Sequence, residues 1–339
     1  MSNAEGGTQL RNAEYVPSNE GIDLIQPDSA QRETAFQRWK EKSRRLGKQV
    51  KENRISYLFL APFALIFSVF YVLPVIISIG LSFTYYNILE PPKFIGWQNY
   101  LNLFVSDDLF IKSIKTTFLF AFITGPIGYI GSFLFAWFIN ELPRKVRTIL
   151  VVVFYAPSLS GQVFVIWGII FSGDQYGFIN GFLMKIGILK EPIQWFTNPD
   201  YMLPALFIVI LWTSVGAGFL AFVAGLQTLD KSLFEAGYID GVSNRWQELW
   251  FITLPQMRPQ LMFGAILTIT GSFAIHDVIV PLAGFPSTDY AAHTIVSHLV
   301  DFGTIRFEMG YASAIATLLF LVMITCNILI QKILKRVGT

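Results

Sequence analysis

The chain has 339 residues, 53% of them hydrophobic and only 14% charged, and phenylalanine alone contributes 32. A soluble domain carries about 25% charged residues, so a soluble fold is excluded, and the mean hydropathy of +0.51 agrees. The single cysteine, Cys326, excludes a disulfide scaffold, and a net charge of +2 gives no basis for nucleic-acid binding.

Residues 1–31 are polar, carry one Arg against five acids, and read as a disordered tail. Residues 32–54 differ, with nine basic residues against three acidic and Phe36, Trp39, Leu46 and Val50 at helical spacing. That pattern fits an amphipathic helix on an anionic membrane surface, or a contact with a partner subunit. The first apolar block starts at Ile55 and is too long for the h-region of a signal peptide, so no cleaved leader is expected.

Six blocks reach the length of about 20 apolar residues that a bilayer span needs: Ile55–Phe83, Ser113–Ile139, Ile149–Phe171, Met202–Val223, Leu261–Leu282 and Met309–Ile330. Each is expected to be helical, because a lipid-facing segment must satisfy its own backbone hydrogen bonds. The fold class is therefore an all-α membrane protein with six transmembrane helices spread over residues 55–339. Pro62, Pro74 and Gly125-Pro126 should kink the first two. The intervening outer loops are too short for a separate domain, and no internal repeat is evident.

Lys and Arg fix the expected orientation. With the N-terminus in the cytoplasm, 19 of the 25 basic residues fall on the inside and six on the outside. Without the N-terminal tail the excess persists, at nine against six. Both termini and the loop between the fourth and fifth spans, residues 227–258, are thereby cytoplasmic in a multi-pass inner-membrane protein.

That loop carries more pattern than a connector needs. Ser232 and Glu235 form a capping box, which predicts a helix starting there. Phe234 and Tyr238 give that helix one apolar stripe, and Gly241 is placed to end it. Ser243 is the expected cap of a second short helix on which Trp246, Leu249 and Trp250 share a face. Composition fits either a docking element or a connecting loop lying on the membrane.

Glu235-Ala236-Gly237, Asp240-Gly241 and Leu254-Pro255 resemble the EAA loop of ABC importer permeases. Gly237 stands where the family usually has alanine, which costs about 1 kcal/mol of helix propensity. Tyr57–Pro62, Ile95–Tyr100 and Gly310–Ala314 resemble carbohydrate permeases of the maltose and glycerol-phosphate branch. The resemblance implies an ABC importer type I permease fold whose loop forms coupling helices docking on a cytoplasmic ATPase. It also implies a second permease as heterodimer partner, two copies of a P-loop ATPase and an extracytoplasmic solute-binding protein. The function it implies is import of a sugar or oligosaccharide by alternating access, with ATP and Mg on the partner and no cofactor on this chain.

Ionisable groups in mid-membrane cost at least about 2.5 kcal/mol and normally face a cavity or a partner. His276 and Asp277 in the fifth span, with Ser272 one turn earlier, are therefore substrate-pathway candidates. In the maltose-type relatives the matching span lines the sugar pocket, and local alignment puts Ser272 and His276 on pocket positions. Trp212 and Gly216-Ala217-Gly218 are further candidates, since rings stack on sugar faces and glycines let a ligand approach the backbone. An interhelical hydrogen bond for His276, and an interfacial place for Trp212, are the alternatives. His293 and His298, five residues apart, lack helical ligand spacing and read as loop residues. With no Lys or Arg inside spans four to six, a neutral oligosaccharide is expected, with a uronate-containing one as the alternative.

The chain has no Walker A sequence, no His-Glu-x-x-His and no Gly-x-Ser-x-Gly, so it should not itself be an enzyme. An ion-coupled carrier is the remaining rival; it would work as a single chain and calls for repeat-paired broken helices.

Overall fold

The computed structural model describes residues 53–159 and 163–335; the polar tail of residues 1–31 and the basic segment up to residue 52 lie outside them. The chain divides into two units, residues 1–69 and 70–339. In the first, α1 (Arg54–Phe67) exposes apolar side chains on all sides, as a helix solvated by hydrocarbon does, and Phe63 stacks on Phe67 one turn on at 5.9 Å. A π-helical turn, Ser68–Val72, follows.

The second unit begins with α2 (Leu73–Leu81), in which Pro74 has no N–H to return to the preceding turn. A two-residue hairpin pairs Thr84 with Phe94 and Tyr85 with Lys93. Then come α3 (Gln98–Val105) and the 33-residue α4 (Asp108–Asn140), started by Asp107, whose carboxylate accepts from the Phe110 N–H at 2.8 Å. The helices α5 (Arg144–Leu159), α6 (Val163–Ile170) and α7 (Phe178–Lys185) follow. The loop around α7 is organised by buried Asn180, which donates to the Ser172 and Ile193 carbonyls and accepts from Trp195 Nε1.

Next are α8 (Pro199–Thr213), α9 (Ala217–Gln227), α10 (Lys231–Ile239) and α11 (Arg245–Glu248). A π turn Leu249–Thr253 leads to α12 (Leu254–Gln256) and α13 (Arg258–Phe273). The unit closes with α14 (His276–Ala283), α15 (Ile295–Val300) with its π extension Asp301–Ile305, and α16 (Met309–Leu334).

Among the described residues, five helical segments are long and apolar enough to cross a membrane: Arg54–Leu81, Asp108–Asn140, Pro199–Gln227, Arg258–Ala283 and Met309–Leu334. The expected third span is described as α5 and α6, with residues 160–162 outside the description. Two spans expected as continuous helices are interrupted. The fourth breaks at Ser214–Gly216, where Gly216 has φ −119° and ψ −138°, and the fifth at Ala274, with φ −107° and ψ 39°. A serine precedes each break and turns its hydroxyl back on its own helix, Ser214 onto Leu211 O and Ser272 onto Ile269 O. Such back-bonding loosens a helical turn.

The centre of the unit is the packing of α4, α9 and α13. Gly264 lies under the Phe222 ring, and Gly125 and Gly128 lie under Ser272 and Ser214. Small residues at these crossings let the backbones approach, which replaces the hydrophobic drive that lipid does not provide.

Candidate functional site

Both interruptions open onto one cavity of about 310 Å³ between α4, α8, α9, α13 and α14. Irregular backbone at membrane depth is tolerated where it lines such a cavity. The polar side chains around it are all hydroxyls: Thr124, Thr213, Ser214, Thr268 and Ser272. Each donates to a carbonyl of its own helix, at 2.6 to 3.0 Å, so its lone pairs remain for the cavity. The cavity is therefore suited to a ligand rich in O–H donors, and no ionisable side chain lines it.

Of the six pathway residues expected, Ser272, Gly216 and Gly218 line this cavity. Trp212 does not; it is 42% exposed and meets Trp167 edge-on at 5.3 Å. The interruption at Ala274 separates Ser272 from His276, so they do not share a continuous helical face as expected. His276 instead pairs its Nδ1 with Ser297 Oγ at 3.0 Å, and Asp277 is exposed in the first turn of α14.

All three histidines of the chain meet at one end of the spans. His293 and His298 are not simple loop residues: His298 lies in α15, and both are buried, at 3% and 1% exposure. His293 Nε2 lies 3.2 Å from His298 Nδ1, and His298 Nε2 lies 2.9 Å from Asp107 Oδ2. The Tyr311 hydroxyl donates to the same Asp107 oxygen at 2.8 Å. Burial pushes the His293 pKa down to about 4, with His298 acting in the same direction, and burial lowers His298 despite Asp107. Burial pulls the Asp107 carboxyl upward, but the Phe110 N–H, the Tyr311 hydroxyl and His298 together hold it below its ordinary value. One protonation pattern satisfies the whole chain: neutral His293 donates to neutral His298, which donates to ionised Asp107.

The opposite end of α4, about 50 Å away at 1.5 Å per residue, meets the 228–257 loop. The start of α10 differs from expectation, since Asp230 rather than Ser232 caps it, accepting from the Ser232 N–H at 2.9 Å. Likewise Asn244, not Ser243, caps α11, accepting from the Gln247 N–H at 2.9 Å. In both places an amide or carboxylate oxygen at the extended residue just before the first helical residue outcompetes a nearby hydroxyl. Gly241 ends α10 as expected, at φ +94°, with Val242 N–H bonded to Gly237 O and Gly241 N–H to Tyr238 O.

Glu235, Ala236 and Asp240 are exposed along α10, while Gly237 is buried. A β-carbon at Gly237 would lie 2.6 Å from Ile252 Cδ1, so glycine here makes room for the π turn behind it. Leu249 does not share an outward face with Trp246 and Trp250; it is buried, whereas both tryptophans are exposed. Leu254 and Pro255 are half-buried where the chain turns toward α13. Arg245, which no local pattern singles out, bridges Glu248 at 2.8 Å and Glu141 at 3.4 Å.

No family model matches the chain. Among curated proteins, it is 32% identical to a probable ABC transporter permease protein, YesP of Bacillus subtilis, over 83% of this chain and 91% of the relative. It is 30% identical to the arabinooligosaccharides transport system permease protein AraP of the same organism, over 82% and 87%. It is 28% identical to the sulfoquinovosyl glycerol transport system permease protein SmoG of Agrobacterium fabrum, over 84% and 91%. A crystal structure of a bacterial ABC transporter involved in import of the acidic polysaccharide alginate contains a chain of the same fold. It has a TM-score of 0.70 and 22% identity, and the match covers 87% of this chain and 100% of that one. A second structure of an alginate transporter, in complex with an alginate pentasaccharide-bound periplasmic protein, matches equally, over 99% of its chain.

Five helices among the described residues that are long and apolar enough to cross a membrane, together with these relatives, mark a multi-pass membrane protein. The chain belongs to the permease proteins of sugar ABC transporters. It is not an enzyme: in this family ATP hydrolysis is carried by a separate subunit. The interrupted spans that an ion-coupled carrier would call for are thus present in a permease of another class.

Proposed function

We propose that this chain is a transmembrane subunit of an ATP-driven importer that moves an oligosaccharide delivered by an extracytoplasmic binding protein. The observation that carries the reading is the hydroxyl-lined cavity between the two interrupted spans. Five acceptor oxygens and no charge suit a neutral sugar, whose hydroxyls donate. A uronate-bearing chain would need Lys or Arg nearby. Ser272, Gly216 and Gly218 are the pathway residues, and His276, Asp277 and Trp212 stand outside the cavity wall.

The basic-residue asymmetry puts both termini and the 228–257 loop in the cytoplasm. There α10, with Ser232, Glu235, Ala236, Asp240 and the Gly241 corner, docks on one of two copies of a P-loop ATPase that bind ATP and Mg. Trp246, Leu254 and Pro255 connect that docking helix to the fifth span. A second permease completes the passage as a heterodimer, and alternating access follows from ATP-driven movement of the loop.

Affinity purification of the tagged chain in mild detergent, with mass spectrometry of what co-purifies, tests the assembly. A second permease and a P-loop ATPase are expected. Recovery of the chain alone, stable and transporting down an ion gradient, would overturn it. Uptake assays with neutral and uronate oligosaccharides then separate the two substrate classes.

A further inference from the structure

The loop is held to the second span at two points. Trp137, in the last turn of α4, and Glu141, the residue that caps its C-terminus, are four residues apart and share a face. Opposite them stand Arg245 and Trp246, consecutive at the start of α11. The Trp137 and Trp246 rings lie 5.5 Å apart, and Arg245 Nη2 reaches Glu141 Oε2 at 3.4 Å.

Behind this contact is Glu248, a carboxylate only 5% exposed. A buried carboxylate needs a charge partner, and Arg245 Nη1 supplies it at 2.8 Å. Tyr238, on α10, stands beside the same carboxylate, whose interaction with the hydroxyl holds the phenol above its ordinary pKa. Guanidinium geometry suits this position, because two nitrogens of one planar fork hold two carboxylates at once. Three helices, α10, α11 and α4, therefore meet at one Arg–Glu–Glu junction. A polar cavity of about 680 Å³ beside it leaves room for the loop to shift.

We infer that Trp137 and Glu141 form a clasp on Trp246 and Arg245 through which movement of the loop reaches the second span. This rests on the reading of α10 as the ATPase-docking helix. A displacement of α10 moves Glu248 through Tyr238, Glu248 carries Arg245, and Arg245 pulls Glu141 at the end of α4. The far stretch of α4 contributes Thr124 to the cavity, so one continuous helix joins the clasp to the cavity wall. Glu141 and Arg245 are positioning residues in this scheme.

The test uses the purified complex with its co-purifying ATPase in nanodiscs. In a Cys326→Ser background, Thr213→Cys places one thiol in the cavity wall. Its modification rate by a small cationic methanethiosulfonate is measured before and after trapping with ATP, Mg and vanadate. The clasp predicts an ATP-dependent change in rate that Glu141→Gln reduces by about two- to fivefold, the size an exposed ion pair carries. The ATPase stays bound in that variant, and Glu141→Asp restores most of the change. An undiminished change in Glu141→Gln, or loss of its ATPase, overturns the clasp. Glu235→Ala tests the docking reading separately, since it should release the ATPase. Full retention and response in Glu235→Ala would sink docking by α10, whatever Glu141→Gln does.

Discussion

The histidine cluster makes the closed arrangement of residues 287–305 sensitive to acid, by an amount that follows from its geometry. His293 is 3% exposed and its pKa is held down to about 4, against an ordinary value of 6.5. Between those values an opened segment takes up a proton that the closed one refuses, so closure weakens as pH falls. The contribution is complete above pH 6.5 and lost by about pH 4. The gap between about 4 and 6.5 corresponds to roughly 3–4 kcal/mol, or about two and a half decades in the opening equilibrium. The cause is burial first: with Nε2–H already donated to His298 across 3.2 Å, a second proton on His293 would place a charge in an enclosed site beside another imidazole. Asp107 does not confuse the reading at pH 4.5, because its carboxyl is held below the ordinary 3.8 and stays ionised there. Hydrogen exchange of peptides covering 287–305, in the intact complex at pH 7 and 4.5 and corrected for intrinsic rates, measures the opening. His293→Gln keeps a donor toward His298 but does not titrate, so its loss of protection should be smaller by most of that amount. Equal losses in the two proteins would refute the argument.

Three further outcomes are expected. Gly241→Ala puts a β-carbon at φ +94°, a strain of about 1–2 kcal/mol, and should reduce the ATPase recovered with the chain; undiminished recovery counts against the corner. Gly128→Ala places a β-carbon 2.8 Å from Ser214 Oγ. Overpacking of about 1–3 kcal/mol should lower the Tm of the complex, and an unchanged Tm would show that the break at Ser214 can yield. Ser272→Ala removes one cavity acceptor, a neutral hydrogen bond of about 1 kcal/mol, so uptake of the accepted sugar should fall about fivefold at low sugar concentration with the complex still assembled.

What was legible in the sequence was local or collective. Long apolar blocks announce spans because a bilayer demands length and composition together, and Gly241 announces a corner because the left-handed turn is a property of one residue. Even a local rule misses here: the capping-box pattern points to Ser232, but the backbone is extended at Asp230, which is the residue that caps the helix. The histidine cluster was illegible for a different reason. Asp107 meets partners 191 and 204 residues away, and their helical spacing within the sequence says nothing about a shared end of the bundle. The clasp is hidden likewise, since Glu141 lies at the end of one span and Arg245 in the loop after another.

The two interruptions are the most instructive gap. Ser214 and Ser272 each sit in an apolar block that reads as a continuous helix, and either one alone would only bend it. Both break because they face each other's neighbourhood across α4, where Gly128 and Gly125 admit them closely and the space beyond is open. Backbone departs from regular helix where the tertiary structure supplies a cavity for it to line. Local patterning should therefore fail at the place where a permease must leave room for cargo, and here the failure coincides with the hydroxyl-lined cavity.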